Sequence, residues 1–212
     1  MKILKPQKPG VKELKYIENL IEEICENEEL NNIILQNYKT ENVKINEIQI
    51  EKAIINNVQI INSNLEKNTF IDVEFNNCNF SNVSFEKSSF IRCEFNNCKL
   101  TGGSFIDVGL HNAVFTETNL NYANFAMAII EKVIFNNTGL RNTSFQENKL
   151  KNIEFEQADL TKAQFFKTSL KNIDFSDSII EGIAVSIEDI KGAIINQFQA
   201  MDLLYLLGVK IK

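Results

Sequence analysis

Residues 73–100 read VEFNNCNFSNVSFEKSSFIRCEFNNCKL. Phenylalanine or leucine stands at 75, 80, 85, 90, 95 and 100, and the residue two places before each is small: Val73, Cys78, Val83, Ser88, Cys93 and Cys98. A strand alternates every two residues and a helix returns after about 3.6, so a spacing of five belongs to neither. Working outward, the register holds at all 31 positions divisible by five from Ile45 to Ile195, which carry fourteen Phe, eight Leu, eight Ile and Val185. Ala53, Gly103, Ala113, Ala123, Thr138, Ala158 and Ala163 extend the small series, and no insertion breaks the spacing.

A longer period rides on the first. The segment Val73–Cys78 returns twenty residues later as Cys93–Cys98, and Lys151–Phe155 returns as Lys171–Phe175. Asn-Asn pairs at 56–57, 76–77, 96–97 and 136–137 keep the same spacing. Twenty residues therefore bring the chain back to an equivalent place, as in a coil of four five-residue sides stacked on itself. Each side turns a large residue and a small one inward, and its backbone bonds to the next coil about 4.8 Å away. The reading is an all-β solenoid of about seven and a half coils, roughly 36 Å long.

At Ala158-Asp159-Leu160-Thr161-Lys162 and Ala123-Asn124-Phe125 the sequence resembles the pentapeptide repeat proteins, whose repeat reads roughly A(D/N)LXX. The resemblance spans about residues 43–195. It implies a right-handed quadrilateral β-helix, and a protein that binds without catalysing. Some members of the family act on type II topoisomerases, chiefly DNA gyrase, by occupying the DNA groove, and confer fluoroquinolone resistance. Several resistance members carry loops that interrupt the repeats; this sequence has none between Ile45 and Ile195.

The ends fall outside the array. Residues 1–42 are expected to hold a tail and an amphipathic capping helix over 11–30. There Leu14, Ile17, Leu20, Ile21, Ile24 and Cys25 recur at helical spacing opposite Glu18, Glu22, Glu23, Glu26 and Glu29. In residues 196–212, Asn196 is placed to cap a helix through Leu207, with Gly208 as its C′ residue and Val209–Lys212 as a short strand. Similar C-terminal elements build the head-to-head dimer of gyrase-protecting members. The resemblance thus implies a homodimer through Phe198, Met201, Leu204, Tyr205, Leu207, Val209 and Ile211.

Composition narrows the chemistry. With 22 Lys and Arg against 28 Asp and Glu, the chain carries a net charge of −6, which disfavours direct nucleic-acid binding. One histidine, His111, and no tryptophan thin the menu for acid–base work. The four cysteines form no CxxC and read as buried thiols of a reducing cytoplasm, without a metal or other cofactor. No membrane span and no secretory leader is legible.

The charge is unevenly spread over the four sides. The side centred on 55, 75, 95, 115, 135, 155 and 175 carries seven carboxylates and no base: Glu74, Glu94, Glu117, Glu154, Glu156, Asp174 and Asp177. The other three sides together carry twelve acids and fourteen bases. Seven charges over about 25 Å approach the one charge per roughly 3.4 Å of a single DNA strand. These seven are the expected partner-binding residues, with DNA gyrase or topoisomerase IV as the partner. The alternative is a solubilising face on a scaffold for another protein.

Overall fold

The computed structural model describes residues 2–10 and 14–208. In chain order it comprises β1 (Lys15–Ile17), α1 (Leu20–Glu26), β2 (Glu29–Gln36), β3 (Lys39–Glu41), β4 (Gln49–Asn56), β5 (Gln59–Ile61) and β6 (Thr69–Asn76). There follow β7 (Ser89–Ile91), β8 (Glu94–Asn96), β9 (Gly109–Thr116), β10 (Ile129–Asn136), β11 (Lys149–Glu156), α2 (Ile187–Ile190) and α3 (Gln199–Leu203). From β2 onward the strand pairings are parallel with a shift of twenty residues: Ile55 lies beside Phe75, Phe75 beside Phe95, Phe115 beside Phe135 and Phe135 beside Phe155. Single bridges such as Ser104↔Asn124↔Ser144 carry the same shift between the strands. The fold is a four-sided parallel β-solenoid, as the period of twenty requires.

Three devices hold the coils in register. The large inward residues stack on their own copies. Phe75, Phe95, Phe115, Phe135, Phe155 and Phe175 form one column with ring centroids 4.6–5.3 Å apart, and Phe85, Phe105, Phe125, Phe145 and Phe165 form a second at 4.6–5.2 Å. Each stacked pair contributes about 0.5–1.5 kcal/mol beyond its burial.

The small inward residues close the corners. Thr118, Thr138 and Thr143 donate their hydroxyls to the carbonyls of Phe95, Phe115 and Leu120 at 3.0–3.1 Å, so their buried oxygens are satisfied.

The chain turns at a left-handed residue two places after each large one. Every fifth residue from Asn32 to Asn172 has φ between 49° and 69°, with Gly102 among them, and 13 of the 28 non-glycine residues of positive φ are Asn. Asparagine tolerates this conformation better than other side chains, which accounts for the Asn-rich sequence at these slots.

The N-terminal boundary of the array differs from the sequence reading. Residues 1–42 are not only tail and cap: β2 pairs with β4 and β3 with β5 at the same shift of twenty, so the solenoid begins before residue 43. The reason lies in Leu30, Ile33 and Leu35, which are buried and continue the inward register; only Thr40 interrupts it. The helix expected over 11–30 is correspondingly short. Asn19 starts it by accepting the Ile21 N–H at 3.1 Å, and Asn27 ends it. Leu20 is buried and Ile21 and Ile24 pack on the first coil, so α1 covers that end, while Ile17 belongs to β1.

At the other end, a short α2 replaces the last coil's side, with Ser186 accepting the Asp189 N–H. Asn196 does cap the next helix, taking the N–H groups of Phe198 and Gln199 at 2.9 and 3.1 Å. That helix is α3 followed by a 3₁₀ turn over Leu204–Leu207, which closes on Gly208 at φ 67°. Gln199 is buried and donates its amide to the Phe175 and Ser178 carbonyls, both at 2.7 Å, satisfying groups that have no following coil. Val209 and Ile211 lie outside the described residues.

Candidate partner-binding faces

The seven carboxylates do share one side, but they form two groups. Glu74 and Glu94 are direct neighbours in β6 and β8, a like-charge pair that costs stability. The next two copies of that position are Val114 and Ile134, which break the series; Glu117 stands at a corner at φ 50° between the groups. The second group is denser. Glu154, Glu156, Asp174 and Asp177 line one open concavity of about 520 Å³ with Asn152, Asn172 and Ser176. Asp174 accepts the Ser176 N–H at 2.9 Å, and hydrogen bonds from Ser176 hold its carboxyl below the usual range. Glu156 takes the Asn136 amide.

One expectation about this side is corrected. It is not free of base, because Lys8, from the N-terminal tail, places its Nζ 3.7 Å from Glu74. Counting charges within the repeats alone could not find a base brought from outside them.

On other sides of the coil these acids are offset. Glu131 meets Lys151 at 2.7 Å, Glu47 meets Lys67 at 2.9 Å and Glu147 meets Lys167 at 2.7 Å, each pair one coil apart. His111 lies 3.9 Å from Glu131 on the surface.

A second charged feature was not legible in the repeat count. Asp72 is a left-handed corner residue, buried, and gripped by Arg92 through two bonds of 2.6 and 2.7 Å. It also accepts the Gln7 N–H at 3.0 Å. Burial pushes its carboxyl up, but the Arg92 guanidinium, the Gln7 N–H and the Lys52 charge outweigh burial and hold it below the ordinary carboxylate range. A lowered carboxyl stabilises the fold above its unfolded value of about 3.9 and loses that contribution as pH falls through the folded value. The Gln7 amide resonance is therefore expected to shift with a midpoint below about pH 3.9, and Asp72→Asn should abolish that shift.

Asn56, Asn76 and Asn96 form a side-chain amide ladder: Asn76 donates to Asn56 at 2.9 Å and Asn96 to Asn76 at 3.0 Å. Thr116 interrupts it, and Asn136 turns to Glu156 instead.

All four cysteines are free thiols. Cys78 and Cys98 neighbour each other inside the solenoid; the hydrogen bond with Cys78 and then burial push the Cys98 thiol up, and burial takes Cys93 to about 12. Only Cys25 is exposed. Titration of the native protein with a thiol reagent should therefore count one fast-reacting thiol, and four after denaturation. A second fast thiol would contradict the inward placement.

The C-terminal end presents the residues expected to dimerise. Phe198, Met201 and Tyr205 are 76%, 54% and 50% exposed, Leu204 is half-buried, and Ile187 and Ile194 are exposed as well. Among the described residues no group of His, Cys, Asp and Glu could hold a metal ion, and no helix is long and apolar enough to cross a membrane.

A parallel coil of four five-residue sides, with paired inward residues and left-handed corners, defines a class of repeat solenoid. Residues 68–145 and again 88–165 match the family model described as the pentapeptide repeat region, so this part of the chain is a run of pentapeptide repeats. No curated protein matches the chain. Among solved structures, it is similar to a trypsin-treated form of QnrB1, a plasmid-mediated fluoroquinolone resistance protein. That likeness has 20% identity, 84% of this chain and 99% of that one covered, and a TM-score of 0.42. It is similar also to HetL of Nostoc sp. strain PCC 7120, involved in heterocyst differentiation regulation, at 13% identity, 84% and 96% coverage and a TM-score of 0.39. A pentapeptide repeat protein of the Arabidopsis thaliana thylakoid lumen matches at 22% identity, with 61% and 83% covered and a TM-score of 0.35.

Proposed function

We propose that the chain is a non-catalytic, cytoplasmic binding protein whose acidic side takes the place of DNA in the groove of a type II topoisomerase, chiefly DNA gyrase. The observation that carries the reading is the distribution of charge. On the other three sides Glu47, Glu131, Glu147 and Asp159 each meet a lysine or arginine of the neighbouring coil, whereas Glu74, Glu94, Glu154, Glu156, Asp174 and Asp177 gather on the fourth, where Lys8 of the N-terminal arm meets Glu74. Strands repeat at about 4.8 Å, so acids on successive coils present a charge spacing close to that of a nucleic-acid strand. The gyrase groove is basic because it holds DNA, and an acidic rod is attracted to it for the same reason.

The second half of the reading is a homodimer through the C-terminal end. An apolar patch led by Phe198, Met201 and Tyr205 supports it, since surface of this kind on a soluble chain marks a contact. Equilibrium sedimentation at micromolar concentration should give twice the 24.2 kDa chain mass, and Phe198→Asp with Met201→Asp should give the monomer. A monomeric wild-type chain removes this half.

Val114 and Ile134, which leave Glu117 as the one acid in the middle of the acidic side, favour a different reading: a scaffold that takes a protein partner on that side. Displacement separates the two. Labelled duplex DNA bound to purified gyrase should be released by micromolar protein at low salt, and release should weaken steeply with added salt. DNA that stays bound throughout would leave the scaffold reading.

A further inference from the structure

Residues 2–10 lie lengthwise along one corner of the solenoid, and their contacts repeat every three residues. The Leu4 N–H donates to Asn112 Oδ1 at 3.2 Å, the Gln7 N–H to Asp72 Oδ1 at 3.0 Å and the Gly10 N–H to Asn32 Oδ1 at 3.1 Å. The three acceptors are left-handed residues of one corner column, separated by forty residues, which is two coils. Two coils measure about 9.6 Å. One turn of polyproline II, three residues, measures about 9.3 Å. The two lattices are commensurate.

The sequence of the arm fits the same period. Lys2, Lys5 and Lys8 are three apart and exposed, whereas Ile3, Pro6 and Pro9 are three apart and half-buried. The prolines favour the extended backbone and, lacking an N–H, can stand only in slots that donate nothing. Each precedes a donor, Gln7 or Gly10. Lys8 then reaches around the corner to Glu74.

We propose that the corner column from Asn32 to Asn112 is a receptor for a basic polyproline-II segment, and that residues 2–10 are its occupant within the same chain. A partner with lysine and proline at the same three-residue spacing competes with the arm for this edge. The arm's hydrogen bonds fall on a corner whose ligand is a peptide, so this edge is independent of the topoisomerase reading; the Lys8–Glu74 ion pair is where the arm meets the acidic side.

The test uses the full chain. Leu4→Pro with Gln7→Pro removes two donors from the arm while keeping its extended backbone and its charge. A fluorescein-labelled peptide of residues 2–10 should bind this variant at least about tenfold more tightly than the wild type, whose edge is already filled. Adding Asn112→Lys and Asn32→Lys should remove the gain. Lysine or arginine already stands in that column at Lys52, Arg92 and Lys132 with φ of 50–55°, so the corner accepts the substitution.

A peptide of the same composition in shuffled order should bind about tenfold more weakly. In the wild type, the amides of Leu4, Gln7 and Gly10 should exchange with solvent more slowly than those of Lys5 and Lys8. Equal peptide binding by wild type and arm variant, no binding by the variant, or indifference to Asn112→Lys would each overturn the proposal. So would arm amides that exchange at the rate of the free peptide.

Discussion

Phe115→Asp is expected to abolish folding of the middle coils. The Phe115 ring is fully buried between Phe95 at 4.6 Å and Phe135 at 5.1 Å, and its coil is held to its neighbours through such stacks, the backbone ladder and corner hydroxyls such as that of Thr138. Truncating a buried phenylalanine costs about 3–5 kcal/mol, and an unpaired buried carboxylate adds several more. Whole domains are stable by only about 5–15 kcal/mol. A solenoid has no distant contacts to compensate, because each coil touches only its neighbours. The variant should therefore lose its cooperative thermal transition, or show it lowered by about 10–20 °C or more. Thr116→Asp, one residue further on and facing outward, should melt within a degree or two of the wild type. An unchanged melting temperature for Phe115→Asp would contradict the inward register.

The second large effect concerns charge. Replacing Glu74, Glu94, Glu154 and Asp174 with Lys takes the formal net charge from −6 to +2 without touching an inward residue. Competition with DNA for gyrase should weaken by about 100-fold, since like charges then face each other across the contact. The matched control places Lys at Glu66, Glu86, Asp107 and Glu147 on the opposite side, with the same change in net charge. That variant should compete at no less than about a tenth of the wild-type strength. Equal loss in both would mean that total charge acts and the acidic side does not. Undiminished competition by the first would remove the acidic side from the account.

The coil was legible because its inward residues obey an uninterrupted spacing: Phe75, Phe95, Phe115 and Phe135 are copies twenty apart in sequence and stacked in space. The corners were legible in principle and overlooked. Asn32, Asn57, Asn77 and Asn97 mark the left-handed slot, and the same run would have carried the array back to Leu30 despite Thr40. The ends were harder, because helical spacing over 11–30 and the register of five coincide at Leu20 and Cys25, and β pairing with the next coil decided the outcome.

Of the acidic side, membership followed from register alone, whereas its division did not. Val114 and Ile134 matter only once the charges are placed in space, and Lys8 reaches Glu74 through an arm whose own three-residue period is too short to stand out in sequence. The pairing of Asp72 with Arg92 was equally hidden, since each looks like an ordinary surface charge until twenty residues become one coil step.

Supercoiling by DNA gyrase, titrated with the purified chain in the presence and absence of a fluoroquinolone, tests the central claim most directly. The account predicts that low micromolar protein either restores supercoiling in the drug's presence or inhibits it in the drug's absence, and that the Lys quadruple at Glu74, Glu94, Glu154 and Asp174 does neither. Supercoiling that is unaffected by the wild-type chain across this range, with and without drug, would contradict it.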